Sequence, residues 1–376
     1  MILEDFNSNK DSVIQRIGEL VDIESPTCDE PSLSKAADWL VSQAQTIPAI
    51  TTIERIRREG YGEHLIFRAF EGAGSPVLLI GHYDTVHPLG TKEKNPTRHE
   101  DGRLFGCGVF DMKANLVLIL EALRAVAENG ASSRQINIFI SCDEEVGSPT
   151  GREIVEREAS LAEHVLIFEP SLDGKAKTGR KGTASFIIKT YGIPAHAGLE
   201  PEKGASAIAE LAKQILEIEK MNRPEKGTSV NATIVKGGTA SNVIASEAEC
   251  ELDIRFTDLD EARRVEMGLK GLQAADSRVR IEVLGEINRP PLERTESVIA
   301  LFEKAKGIAK GLGYELGEAQ VGGASDGNFV AALGVPVIDG LGIKGDGAHT
   351  LGEYIETAEI PFRTALIANL LVCDRV

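Results

Sequence analysis

The sequence predicts an α/β protein: a discontinuous domain with a central mixed, mostly parallel sheet flanked by helices, interrupted by a ferredoxin-like β-α-β-β-α-β insertion. Three observations predict it. Up to about residue 180, apolar runs of strand length alternate with stretches of helical spacing. From residue 182 the order becomes strand, helix, two strands, helix, strand. After Arg289-Pro290-Pro291 the earlier alternation returns. The limits that follow are 1–181 and 290–376 for the two parts of the first domain, and 182–289 for the insertion.

Residues 9–22 and 32–46 carry apolar positions at helical spacing, and SPTCDEPSLS between them supplies turn and cap residues. HLIFRAF (64–70), PVLLIGH (76–82), QINIFIS (135–141) and HVLIFE (164–169) read as strands. NLVLILEALRAVAEN (115–129) reads as a helix with Gly130 as its C-cap. In the insertion TASFIIKTY is a strand and GASAIAELAKQILEIEK a helix. TSVNATIVKG and EAECELDIRF are strands, LDEARRVEMGLKGLQAA a helix and RVRIEVLGE a strand. A helix near 296–311, the strand GVPVIDG and a helix near 358–372 complete the chain.

Composition narrows the class of partner. The chain has 376 residues, room for two domains, with ordinary apolar (42%) and charged (26%) content. A net charge of −17 with no basic block argues against nucleic acid. The acidic excess suits either bound divalent cations or a solvated surface. MILEDFNSNKDSVIQRI lacks the pattern of a signal peptide, and no run approaches the roughly 20 apolar residues of a membrane span. Five cysteines, odd in number and without C-x-x-C spacing, suggest reduced thiols. The expectation is a cytoplasmic protein with no membrane partner.

The chemistry-bearing residues sit at strand ends. In GHYDTVHP, His82 and Asp84 lie two apart, so both can address one point. They read either as a metal ligand with its orienting carboxylate or as polar residues solvated at a sheet edge. Asp111 in GCGVFDMKAN stands before the long helix, as an N-cap or as a ligand. SCDEEVGS follows INIFI with three consecutive carboxylates, Asp143, Glu144 and Glu145, which cannot all stay charged in a low-dielectric setting without water or cations. Adjacent residues of a regular strand face opposite ways, so Glu144 and Glu145 should have different partners. Glu169 ends VLIF, and His349 lies in the glycine-rich GAHTLGEY. Together these place His and carboxylate groups where open α/β sheets bind ligands, a set suited to zinc above all.

GHYDTVHP, GCGVFDMKAN, SCDEEVGS, FEP, PAHAGLEPEKGASAI, SNVI and the late histidine occur in the order found in the dinuclear-zinc amidohydrolases of peptidase clan MH. The chain resembles that family over essentially its whole length, and among its branches looks most like the glutamate carboxypeptidases. The resemblance implies two Zn2+ per chain, with Co2+ or Mn2+ as substitutes. His82, Asp111 and Glu169 would hold one ion, and Asp111, Glu145 and His349 the other. Asp84 would orient His82, Glu144 would be the general base, and the peptide after Asp111 would be cis. His196, by itself an ordinary turn histidine, resembles the oxyanion donor that reaches across a homodimer formed through the inserted lid domain. Asn242, Arg255 and Arg289 match positions that bind the carboxylate end of a small peptide or N-acyl amino acid. For both arginines a surface ion pair is the competing reading. Gly322 and Gly323 would admit a substrate backbone.

The sequence departs from the family pattern at Ala114-Asn115, where two glycines are usual. Asp143 receives no family role, and either support of the ligand residues from behind or loop capping is the expectation. His64, His87, His99 and His164 match no ligand position. Besides the carboxypeptidase reading stand an N-acyl-amino-acid deacylase, a catalytically silent metal-stabilised dimer, and a dinuclear phosphoesterase. The presence of Glu144 weighs against the silent form.

Overall fold

The computed structural model describes residues 3–72, 74–129, 132 and 134–372. They form two compact units. Met1–Gly179, Arg294–Val321 and Ser325–Val376 make the first, and Arg180–Glu293 with Gly322–Ala324 the second.

The first unit is built on β1 (Ile50–Arg58), β2 (Gly62–Ala69), β3 (Val77–His82), β4 (Ile136–Ser141), β5 (His164–Ile167) and β6 (Val337–Ile338). Their spatial order is β1-β2-β4-β3-β5-β6. The pairs β4-β3, β3-β5 and β5-β6 are parallel, whereas β1-β2 and β2-β4 are antiparallel. The mixed, helix-flanked sheet is the one expected. Strand β1 is not among the strands read from the sequence. It is an edge strand, ITTIERIRR, whose residues alternate between half-buried and exposed, so it lacks the apolar run that marks the others. GVPVIDG supplies only the two residues of β6.

Strands β3 and β4 are buried along their whole length, as strands covered on both faces must be. The helix Ala114–Glu128 is apolar nearly all round and packs against the equally apolar Ile360–Val372. Leu79, Ile138, Leu120 and Leu366 share one core. The C-cap read at Gly130 lies outside the described residues, as does Cys373. Cys28, Cys107, Cys142 and Cys250 are free thiols.

In the second unit the sheet order is Ser229–Gly237, Glu247–Phe256, Gly182–Tyr191, Arg280–Arg289, with every neighbour antiparallel. Alternate residues of Gly182–Tyr191 and Glu247–Phe256 pack a separate core with Leu211 and Val265 from the helices Ala207–Glu219 and Leu259–Lys270. Both helices begin at side-chain caps, Ser206 accepting from the Ala209 N–H and Asp258 from the Glu261 N–H. This is the β-α-β-β-α-β order read from the sequence. No helix among the described residues is long and apolar enough to cross a membrane.

Two glycines test the packing in opposite directions. A Cβ at Gly342 would meet the Glu169 and Phe168 carbonyl oxygens at 2.5 and 2.8 Å, and neither can yield cheaply. Gly307, in the exposed surface of helix Glu296–Gly311, has nothing within 4 Å. By chemical denaturation, Gly342→Ala should cost about 1–3 kcal/mol. Gly307→Ala should add up to about 1 kcal/mol.

Candidate metal centre

Strands β3, β4 and β5 run parallel, so their carboxyl ends open on one edge of the sheet. His82 closes β3 and Asp84 follows it. Beyond β4 the chain makes a single 3-10 turn, Glu144–Val146, and Glu169 lies just past β5. Asp111 comes from the irregular turn Val109–Lys113, where the Asp111–Met112 peptide is cis as the resemblance implies. It is not the N-cap of the following helix, which starts without a side-chain cap. His349 adopts a left-handed backbone (φ 65°) within its loop.

These pieces converge as two overlapping groups. His82 Nε2 lies 3.1 Å from Asp111 Oδ1 and 3.6 Å from Glu169 Oε1. His349 Nε2 lies 3.3 Å from Asp111 Oδ2 and 3.2 Å from Glu145 Oε2. Asp111 thus presents one oxygen to each group. Tetrahedral bonds of about 2.0–2.1 Å would put donor atoms about 3.3 Å apart. The spacing and the N/O donor set therefore fit a pair of zinc-type ions. Glu144 belongs with His82 and Glu169, each offering an atom within 4.8 Å of the others. Glu144 and Glu145 do have different neighbours, but strand alternation is not the cause. They sit in a helical turn whose two backbone N–H groups are both held by Asp84.

The protonation states show the crowding. Burial pushes the Glu145 carboxyl up to about 7. Burial also works against charge on His82, yet hydrogen bonds to Asp111 and Asp84 hold its ring well above the usual imidazole range. Desolvation works against charge on the half-buried Asp111 too, yet His349 and His82 keep its carboxyl well below the usual range. Hydrogen bonds to Asp111 and Glu145 push His349 up to about 10. His82 and His349 are paired with these carboxylates.

The supporting residues divide the labour more finely than the sequence suggested. Asp84 is fully buried; its carboxylate lies 3.4 Å from His82 Nδ1, while its carbonyl oxygen is closer at 3.0 Å. The same carboxylate accepts the Glu144 and Glu145 N–H groups at 3.2 Å each and the Thr27 hydroxyl at 2.9 Å. Asp143 caps the next segment, accepting from Thr150 N and Oγ1 at 2.7 Å and from Gly151 N at 3.2 Å. That is loop capping, one of the two roles expected of it. Asn115, the departure from the family pattern, accepts the Ile343 N–H at 2.8 Å and donates to the Phe110 carbonyl. Its amide ties the Asp111 turn to the chain leading to His349. His64, His87 and His164 are buried and His99 is exposed. Sequence reasoning passed over Glu353, which accepts backbone N–H groups of the Asp111 turn. Its signal was a carboxylate four residues after His349 in GAHTLGEY.

His196, Asn242, Arg255, Arg289 and Gly323 belong to the second unit. The backbones around two of them are paired: the Asn242 carbonyl accepts from Ala197 N at 2.9 Å, and His196 pairs with Val243. The His196 Nδ1 accepts N–H groups from Gly198 and Leu199, each at 3.1 Å, so the neutral ring carries its proton on Nε2. Arg255 and Arg289 both stand opposite Thr183, on the strands either side of it. The Arg255 guanidinium is engaged by Asp253 on its own strand, at 2.7–3.1 Å. Arg289 is buried. The Gly323 carbonyl accepts from Arg180 at 3.1 Å.

Residues 78–372 match the family described as peptidase family M20/M25/M40. The chain is 30% identical over 369 residues to carboxypeptidase G2 of Pseudomonas sp. strain RS-16, covering 96% of this chain and 89% of that enzyme. It is 28% identical over 369 residues to a succinyl-diaminopimelate desuccinylase of Xanthomonas euvesicatoria, covering 88% and 96%. Among solved structures, the M20 family metallo-carboxypeptidase Sso-CP2 of Sulfolobus solfataricus superposes with a TM-score of 0.77 at 16% identity, over 96% and 98% of the two chains.

The His349 shift gives a pH prediction for the metal-free protein. A histidine whose folded value is raised stabilises fully below its unfolded value of about 6.5, and loses that contribution as pH rises through the folded value. The melting temperature of chelator-treated protein should fall between about pH 6.5 and the folded value of about 10. The His349→Asn variant should show a shallower slope, the remainder belonging to His82, whose ring is also held above the usual range, and protein saturated with Zn2+ should lack it. Equal slopes in the variant and the parent would count against the pairing.

Proposed function

The chain belongs to peptidase family M20/M25/M40, and on that premise we propose a dinuclear zinc exopeptidase that cleaves an amide bond and releases a C-terminal amino acid, in the manner of a glutamate carboxypeptidase. The observation that carries the reading is the sharing of Asp111 between two His/carboxylate groups. His82, Asp111 and Glu169 would hold one ion, and Asp111, Glu145 and His349 the other, with Zn2+ replaceable by Co2+ or Mn2+. Such ions, when bound, supply acidified water and positive charge for the amide oxygen.

The remaining steps fall to this chain's own side chains. Glu144 takes a proton from the attacking water and delivers it to the departing amine nitrogen. Asp84 holds the Glu144 backbone and orients His82, so base and ligand keep one register. The Nε2–H of His196 is the tautomer an oxyanion donor requires. Arg289, with Asn242 and Gly323, grips the carboxylate end of a small peptide or N-acyl amino acid. Arg255 is already paired with Asp253, which supports a positioning part in the same sheet row rather than a direct grip. The second unit, residues 182–289 in the sequence reading, acts as lid and homodimer interface of a cytoplasmic enzyme.

A second reading is an N-acyl-amino-acid deacylase of the acetylornithine, succinyl-diaminopimelate or aminoacylase type. The similarity to the desuccinylase favours it. Metals and fold are common to both readings, so substrates must separate them. Purified protein should hydrolyse N-acyl-glutamates or dipeptides in preference to acetylornithine and succinyl-diaminopimelate. Turnover of acetylornithine alone would replace the first reading by the second.

Elemental analysis should find about two zinc-type ions per chain, as in other two-metal sites. Glu144→Ala should keep the metal while kcat falls by about 10²–10⁴. Glu145→Ala should lose metal as well as turnover. Identical behaviour of the two variants would remove the assigned division of labour.

A further inference from the structure

We propose that Glu353, backed by His87, is a positioning residue that locks the Asp111 turn to the His349 loop and so sets the spacing of these two ligands. The proposal rests on the two-metal reading given above.

Glu353 is completely buried. Its Oε1 accepts the backbone N–H groups of Phe110 and Asp111 at 2.8 and 2.9 Å. Its Oε2 accepts the Gly108 N–H at 2.8 Å and the His87 Nε2–H at 2.9 Å. Four donors fill the roughly four lone-pair sites of a carboxylate. Hydrogen bonds to a charged acceptor are about twice as strong as neutral ones. A buried N–H deprived of its acceptor is also costly. The turn bearing Asp111 is therefore fastened by its main chain, which leaves the Asp111 side chain free to lie between His82 and His349.

The other end of the fastening is His349 itself. Glu353 stands four residues further along, joined to it by a tight turn in which Thr350 N donates to Gly347 O at 2.9 Å. Gly347 has φ 80°, and a Cβ there would meet the Gly352 backbone at 3.0 Å. Gly106 N donates to the Glu353 carbonyl, and Tyr354 pairs with Phe105 in a short antiparallel ladder. One residue thus grips the backbone of one ligand and shares a stiff loop with another. Asp111 and His349 belong to the same group of the centre, at 3.3 Å. Loss of the grip should be felt most by the ion they share with Glu145.

The test uses full-length protein stripped of metal and titrated with Co2+, followed by calorimetry and visible absorption. Glu353→Gln keeps the side chain's size but turns an NH2 group toward donors. Its near-UV circular dichroism should match the parent. The parent should bind two Co2+ ions, whereas the variant should keep one tight ion and hold the second about 10–100-fold more weakly. The absorption of the second ion should shift, and kcat should fall with little change in KM. His87→Phe removes one donor only and should move the same quantities less. Parent-like affinity at both sites in Glu353→Gln, or equal weakening of both, would overturn the proposal. If Glu353→Gln fails to fold, an unchanged second affinity in His87→Phe would do so. A parent that binds no Co2+ would instead sink the two-metal reading, and this proposal with it.

Discussion

Everything around this centre answers to one constraint, the confinement of five carboxylates beside two imidazoles at the end of a parallel sheet. Asp84 and Glu169 are buried and Asp111, Glu144 and Glu145 half-buried, and like charges brought together there are costly. The structure relieves the cost in two ways. Asp84 and the nearby Glu353 accept backbone N–H donors. Asp111, Glu145 and Glu169 have histidine nitrogens as their cationic neighbours: Asp111 and Glu145 raise His349, while burial raises Glu145.

The fold supplies the rigidity that such crowding demands. Three parallel strands, buried on both faces, deliver His82, the Glu144–Glu145 turn and Glu169 from one edge. Helix Ala114–Glu128 anchors the Asp111 turn from below through its apolar surface. Loops alone would not hold side chains to within a few tenths of an ångström. Here Asp84, Asp143, Asn115 and Glu353 pin those loops to the sheet and to each other. The second unit has a core of its own, and it carries His196, Asn242 and Arg289.

Legibility followed the range of the interactions. Helix and strand identities came through where a burial pattern repeats over many residues, as in PVLLIGH, INIFI and EAECELDIRF. Strand β1 escaped because its contribution is a two-sided polar edge. Glu144 and Glu145 have different neighbours for a reason other than the strand alternation expected of them, because the strand ends at Ser141 and both lie in a helical turn. For Asp143, of the two roles the sequence left open, the structure shows the cap, whose partners Thr150 and Gly151 lie within eight residues.

What the sequence by itself determined was the fold class, the family resemblance and the set of His and carboxylate residues available to metals. Each depends on residue type and local spacing, and both are written directly in the chain. What only the tertiary structure decided was how those residues are held. The Asp84 grip on the Glu144–Glu145 turn spans some sixty residues, and the Glu353 grip on Asp111 spans 242. Neither leaves a periodic or local trace, because a hydrogen bond between a side chain and a distant backbone N–H places no demand on the sequence in between.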